Sequence, residues 1–178
     1  MGREAKLEGT LDRPWLALYE PGVAADIENE LDHLGFRSLA DFADHVFLKF
    51  KSKPALHCMG RTLTYADLDR LSASFASYIQ RNTDLKPGDR IALMMPNILQ
   101  YPIAIYGCLR AGLVVVNVNP LYTARELQYQ MKDSGARAIV IFDNAADRLE
   151  QVLAETDIRY IFKTGIGDLL GFPKSFLI

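Results

Sequence analysis

The sequence predicts an α/β domain: a doubly wound, mostly parallel sheet, preceded by an N-terminal arm and a small β-hairpin. Two observations carry that prediction. From Gly88 to Val140, short apolar runs alternate with helical runs, and almost every joint holds a residue that starts or stops an element. The apolar runs themselves, Ile91 to Met95 and Leu113 to Val118, are continuous rather than alternating. Strands of that kind are buried on both faces, as in a parallel sheet covered by helices.

The elements follow in order. Residues 1–37 read as an arm, with Trp15, Leu16, Leu18 and Tyr19 clustered before Pro21-Gly22 and a short helix expected from Asp26 to Leu34, closed by Gly35. The arm holds the only Trp, which must be covered by its own domain, by a partner subunit or by a surface such as a membrane. From Ser38 a helix is predicted, with Leu39, Phe42, Ala43, Val46, Phe47 and Phe50 at helical spacing. Ser38 and Asp41 imitate a capping box at its start, and Pro54 stops it. Ala55 to Cys58, a Met59-Gly60 turn and Arg61 to Thr64 predict a hairpin. Thr64 then caps a helix that presents Leu68, Leu71, Phe75, Ala76 and Ile79 on one face, and the turn Leu85 to Asp89 leads into the first central strand.

Asn97 with Gln100, and Thr123 with Glu126, each place a cap acceptor three residues before a side chain able to reach back. Gly112 and Gly135 stand where a left-handed residue closes a helix. Pro102 is discordant: at the fifth helical position it removes a backbone donor, so that helix should start irregularly or bend. Arg137 to Phe142 reads as a strand, Ala145 to Glu155 as a helix and Ile158 to Lys163 as a last strand. The crossovers should be right-handed. The domain is expected over residues 38–164. Residues 165–178 form a tail whose apolar end suggests a cut rather than a natural terminus.

Composition excludes several classes. A net charge of −2 with no Lys/Arg stripe gives no electrostatic basis for nucleic acid. Cys58 and Cys108 are too few for a disulfide framework and sit in apolar segments, which favours buried, reduced thiols in a cytoplasmic protein. Charged residues interrupt every apolar run, so no segment is long enough to span a bilayer. The first residues lack the apolar core of a secretory signal, and Lys6 stands where myristoylation would need Ser or Thr.

Candidate chemistry is sparse. Gly165, Gly167 and Gly171 fit the spacing of neither a dinucleotide fingerprint nor a Walker loop, and Pro173 stands where the helix should begin. The loop Pro96-Asn97-Ile98 has no glycine, which disfavours an ordinary Rossmann nucleotide site. His33, His45 and His57 have no nearby Cys or Asp at metal-ligand spacing and read as surface or helix-end residues. No Gly-x-Ser-x-Gly elbow occurs. Asp67 and Asp69 lie on different helix faces and read as solvated. Asn97 and Asn119 both follow buried strands, at the carboxyl edge where open α/β sheets place ligands; the simpler reading makes one a cap and the other a turn former. Tyr101 and Tyr122 line a pocket there or simply pack. No catalytic, cofactor-binding or metal-ligating residue is assigned.

Several stretches stand in the order found in the adenylate-forming acyl-CoA synthetases. They are Leu63-Thr64-Tyr65-Ala66-Asp67-Leu68, Pro87-Gly88-Asp89-Arg90-Ile91-Ala92, Pro96-Asn97, Leu109-Arg110-Ala111-Gly112, Val116 to Tyr122, and Gly135-Ala136-Arg137. From about Trp15 to Gly167 the chain most closely resembles the bacterial long-chain fatty acid–CoA ligases. The resemblance implies part of the large N-terminal domain of a two-step ligase. A fatty carboxylate attacks ATP to give an acyl-adenylate and pyrophosphate, coenzyme A displaces AMP, and Mg neutralises the phosphates. That family's Ser/Thr/Gly-rich phosphate loop ending in Pro-Lys, and its later adenine, ribose and lysine motifs, have no match in these 178 residues. The resemblance therefore assigns no catalytic residue here and implies a structural wall of the large domain, inactive by itself. It also implies fatty acid, ATP and CoA as partners of the whole enzyme, dimer contacts through the arm, and peripheral association with the inner membrane. The alternative is a stand-alone α/β small-molecule-binding or dimerisation module without catalysis.

Overall fold

The computed structural model describes residues 35–171. The Trp15 arm, the expected helix from Asp26 to Leu34, His33 and Pro173 lie outside them. The chain divides into two units, Met1–Arg37 and Ser38–Ile178, and the second carries the sheet.

The Ser38 hydroxyl accepts the Asp41 amide at 3.1 Å and starts α1 (Leu39–Lys49), which buries Ala43 and Phe47. Strands β1 (Pro54–Cys58) and β2 (Arg61–Thr64) form the antiparallel hairpin. Met59 and Gly60 turn it with φ of 48° and 77°, the left-handed geometry a tight hairpin demands. Thr64 opens α2 (Tyr65–Asn82) with a complete capping box: its hydroxyl accepts the Asp67 amide, and the Asp67 carboxylate accepts the Thr64 amide. Asp67 is thus the returning arm of a cap, with its carboxylate still open to solvent.

Four parallel strands follow, β3 (Arg90–Met94), β4 (Val114–Asn117), β5 (Ala138–Phe142) and β6 (Tyr160–Thr164), in the spatial order β4-β3-β5-β6. Helix α3 (Gln100–Arg110) joins β3 to β4, and α4 (Ala124–Ser134) joins β4 to β5. Thr123 and Glu126 make the capping box expected of them, and Gly135 closes α4 with φ 62°. The single helix predicted over Ala145 to Glu155 is instead three short pieces: a 3₁₀ turn, α5 (Ala146–Glu150) and a second 3₁₀ turn. No side chain caps α5, and the Thr156 hydroxyl takes the Leu153 carbonyl at 2.9 Å, a local bond that competes with helix continuation.

Side chains alternate between the two faces of the sheet. Ile91, Leu93, Ala138 and Val140 meet Ala76 and Ile79 of α2 and Ala104 and Cys108 of α3. Ala92, Met94, Ile139 and Ile141 meet Leu127 and Met131 of α4 and Leu149 of α5. The β3-to-β4 crossover runs one way over the first face, and the next two run the other way over the second, so all three share one hand. Burial on both faces holds for β3 and fails for β4. As the edge strand, β4 leaves Val114 47% exposed.

A further cluster of Ala43, Phe47, Leu63, Leu68, Leu99 and Ile103 ties α1 and the hairpin to α2 and α3. Arg110 pins the same three helices. It donates to the Asp69 carboxylate at 2.5 Å, to the Asp69 carbonyl at 2.7 Å and to Asp44, and it lies 5.5 Å from the Phe47 ring centre. Asp69 is exposed, as expected of it, and also has a cation partner. Gly107 permits the close α2–α3 crossing, because a Cβ there would meet Phe75 Cδ1 at 2.7 Å and the Ser72 carbonyl at 3.1 Å.

Candidate functional site

The strand order reverses between β3 and β5, and ligands of open α/β sheets sit beyond the carboxyl ends of the strands at such a point. Two loops leave the sheet there, residues 95–99 after β3 and Asp143–Ala145 after β5. The first departs from expectation. Asn97 is not the cap of α3; the cap position is Leu99, and no side chain serves it. Gln100, expected to reach back, instead donates its Nε2 to the Gly165 carbonyl at 2.7 Å. Backbone bonds from Ile98 to Pro96 (2.8 Å) and from Tyr101 to Ile98 (3.0 Å) replace the cap. Pro102 is then the third helical residue, where an amide has no intrahelical acceptor, so the start is irregular as predicted but Pro102 causes no break.

Asn97 is exposed on the wall of a cavity of about 260 Å³, with Leu56, His57, Cys58, Tyr101 and Pro102. Tyr101 donates its hydroxyl to Asn117 Oδ1 at 2.7 Å, and burial holds that phenol above its ordinary pKa. Asn119 is a turn former: its Oδ1 accepts the Leu121 amide at 3.0 Å. The Tyr122 carbonyl accepts from Arg148 at 2.8 Å while its ring packs against the Leu127 cluster.

A second cavity of about 250 Å³ lies between α2, α3 and β6, walled by Leu71, Phe75, Ile103, Ala104, Val140 and Phe162. Its mouth carries Gln100, Thr164 and Asp168. Here the loop after β6 closes on itself. Asp168 Oδ2 accepts the Gly165 amide at 2.9 Å and the Thr164 hydroxyl at 2.8 Å. A Cβ at Gly165 would meet Asp143 Oδ2 at 2.8 Å. The Gly165 amide is thus already taken by the Asp168 carboxylate, while Asp143, paired with Lys163 at 3.7 Å, lies against the Gly165 α-carbon, so this amide is not free to receive a phosphate oxygen. These residues do not fit a phosphate cradle.

Metal and nucleophile candidates fare no better. His57 Nδ1 pairs with Thr62 Oγ1 at 2.8 Å across the hairpin, and His45 is exposed on α1. Among the described residues, no cluster of three or more His, Cys, Asp or Glu is built to hold a metal ion such as Mg. Cys108 is buried, with its thiol pushed up to about 12 by desolvation, whereas Cys58 is only half-buried. What sequence reasoning missed is the Gly165 junction, formed by Gln100, Asp143 and Asp168. An Asp three residues after Gly165 is the only local signal of it.

The model of the AMP-binding enzyme family matches residues 43–167. The chain belongs to the AMP-binding enzymes. It is 45% identical over 168 residues to a long-chain-fatty-acid–CoA ligase of Yersinia pestis, covering 94% of this chain and 29% of that protein. A ligase of the same description from Bacillus subtilis is 35% identical over 165 residues, 93% of this chain and 28% of that one. Among solved structures, a long-chain-fatty-acid–CoA ligase of Archaeoglobus fulgidus superposes with a TM-score of 0.66 at 25% identity, over 74% of this chain and 29% of that one. A benzoate CoA ligase of Burkholderia xenovorans does so with 0.65 at 27%, over 70% and 25%. The α/β fold with its parallel sheet and small hairpin is thus that of the AMP-binding ligases. This chain spans about 29% of the length of the bacterial relatives it matches.

Proposed function

We propose that the chain is the N-terminal portion of a long-chain fatty acid–CoA ligase. The enzyme would join ATP, fatty acid and CoA into acyl-CoA, AMP and pyrophosphate through an acyl-adenylate. One observation carries the reading: 43–45% identity to bacterial ligases of that name over 94% of these residues. In such an enzyme the residues described here are a wall. The cores of β3 and β5 hold the loops 95–99 and Asp143–Ala145 at the sheet's carboxyl edge, and Gln100 ties the exit of β6 to α3.

The whole enzyme would draw on ATP, Mg and CoA, with Mg offsetting phosphate charge. The Gly165 loop does not fit the phosphates, and the 178 residues alone would turn nothing over. Peripheral membrane association and dimer contacts through the Trp15 arm belong to the same proposal. Among the described residues, no helix is long and apolar enough to cross a membrane. The test is to express the complete reading frame containing these residues and measure oleoyl-CoA by mass spectrometry. Oleoyl-CoA formed together with AMP supports the ligase; ADP in place of AMP, or no thioester from any fatty acid, rejects it.

The two cavities at the carboxyl edge favour a second reading, a small-molecule-binding module complete in itself. It requires saturable heat when the 178-residue chain is titrated with ATP or oleate, and a flat titration removes it.

A further inference from the structure

We propose that α4 is a docking surface for a second copy of this protein, the two helices packing antiparallel across Tyr129. At about 100° per residue, Arg125, Tyr129 and Asp133 fall on one stripe of the helix, and Tyr129 stands opposite the buried Leu127 and Met131. All three are exposed, Tyr129 by 73%. A lone exposed Tyr needs no explanation, but the charges around it do. Arg125 lies in the first turn and Asp133 in the last, so each sits at the end of the helix dipole that carries its own sign. The other charges at these ends are accounted for: Glu126 closes the capping box with Thr123, and Lys132 pairs with Glu155 at 3.6 Å. Neither Arg125 nor Asp133 is in an ion pair found among the described residues.

A second copy accounts for both misplaced charges. Arg125 and Asp133 each lie four residues from Tyr129, about 6 Å along the helix axis. With two α4 helices antiparallel and Tyr129 on the two-fold axis, Arg125 of each copy faces Asp133 of the other, and two equivalent ion pairs form. Each charge then also faces the end of the neighbouring helix whose dipole it complements. A parallel pairing would set Arg125 against Arg125, so charge alone fixes the orientation. Beside the stripe runs a groove of about 450 Å³ walled by Tyr122, Glu126 and Gln130, and the Tyr129 ring of the second copy fits there. Leu121, 82% exposed just before the helix, adds apolar surface at one end. One helix face per copy is a small interface, so the dimer is weak and concentration-dependent. The surface is distinct in sequence from the Trp15 arm and takes nothing from the ligase reading, which stands even if the dimer fails.

The experiment is sedimentation equilibrium of the 178-residue chain over a wide concentration range, with the product of the complete reading frame run alongside. A monomer–dimer equilibrium is expected of both. Arg125→Asp and Asp133→Arg should each weaken it roughly tenfold, and the two reversals combined in one chain should restore it to within about threefold of wild type. Tyr129→Ala should weaken it roughly 30-fold. Each single reversal gives α4 a charge that its own dipole favours, so melting temperatures of the dilute monomer should not fall. Loss of the dimer without loss of melting temperature therefore reports the surface and not the folding. A monomer at every concentration, or a double reversal that does not recover, would overturn the proposal. So would association that neither reversal weakens, which would put the contact elsewhere, as on the Trp15 arm. A complete product that stays monomeric would overturn it too, because a later segment of the same chain would then cover α4.

Discussion

At the amino end of the parallel sheet, Arg137 donates to Asp89 at 2.7 Å and to Asp84 at 3.2 Å, Arg159 pairs with Asp84 at 3.7 Å, and the Tyr160 hydroxyl donates to Asp84 at 3.2 Å. At the carboxyl end, two neutral contacts, Gln100 to Gly165 and Tyr101 to Asn117, stand beside one exposed ion pair, Lys163 with Asp143 at 3.7 Å, and two cavities open between the elements. The ionic clasp joins the turn before β3 to the starts of β5 and β6, so alignment of the strands is secured where no ligand is expected. The opposite end carries little charge pairing between strands, which leaves its loops available to shape a site. The ion pairs that align the strands thus concentrate at the end of the sheet away from the candidate site.

The largest effect should come from the core that both ends share. Ile139, fully buried in β5, should cost about 3 kcal/mol when replaced by Ala, measured by urea denaturation. Arg137→Ala should cost about 2 kcal/mol, because it leaves the mostly buried Asp89 carboxylate without its cation. Gln100→Ala should cost only about 1 kcal/mol, with loss of amide protection confined to residues 165–170. If Gln100→Ala destabilised the domain as much as Arg137→Ala, the contrast between the two ends would collapse.

The smallest effect concerns pH. Backbone and hydroxyl bonds from Thr64 and Thr123 hold Asp67 and Glu126 below the ordinary carboxylate range in the folded chain. Both groups are well exposed, so their contribution is modest. It is fully present above the unfolded-state values and is lost as pH falls through the lower folded values, below about pH 4. Thr64→Ala and Thr123→Ala should flatten that part of the melting-temperature profile. An unchanged profile would show that the caps do not titrate with folding.

Local chemistry was legible in the sequence and distant partners were not. The Thr64 and Thr123 caps were readable because both members of each capping pair lie within four residues. Asn97 and Gln100 show the same spacing, but Gln100 found a better acceptor in Gly165, 65 residues away, which nothing local announces. The continuous run in β4 resembles that in β3, since a strand's composition does not state how many neighbours it has. Arg110 gave no hint that it would collect Asp44 and Asp69 from two other helices. At the candidate site, Asn97 and Asn119 marked the carboxyl edge correctly as a place, while the residues that shape it, Asp143, Gly165 and Asp168, depend on loops folding against each other.

If these residues are a wall of an AMP-forming ligase whose reacting groups lie elsewhere, AMP release from ATP, oleate and CoA will separate the 178-residue chain from the product of the complete reading frame. AMP is expected from the complete product and none from the 178 residues. AMP from the 178 residues alone, or none from the complete product, would contradict that reading.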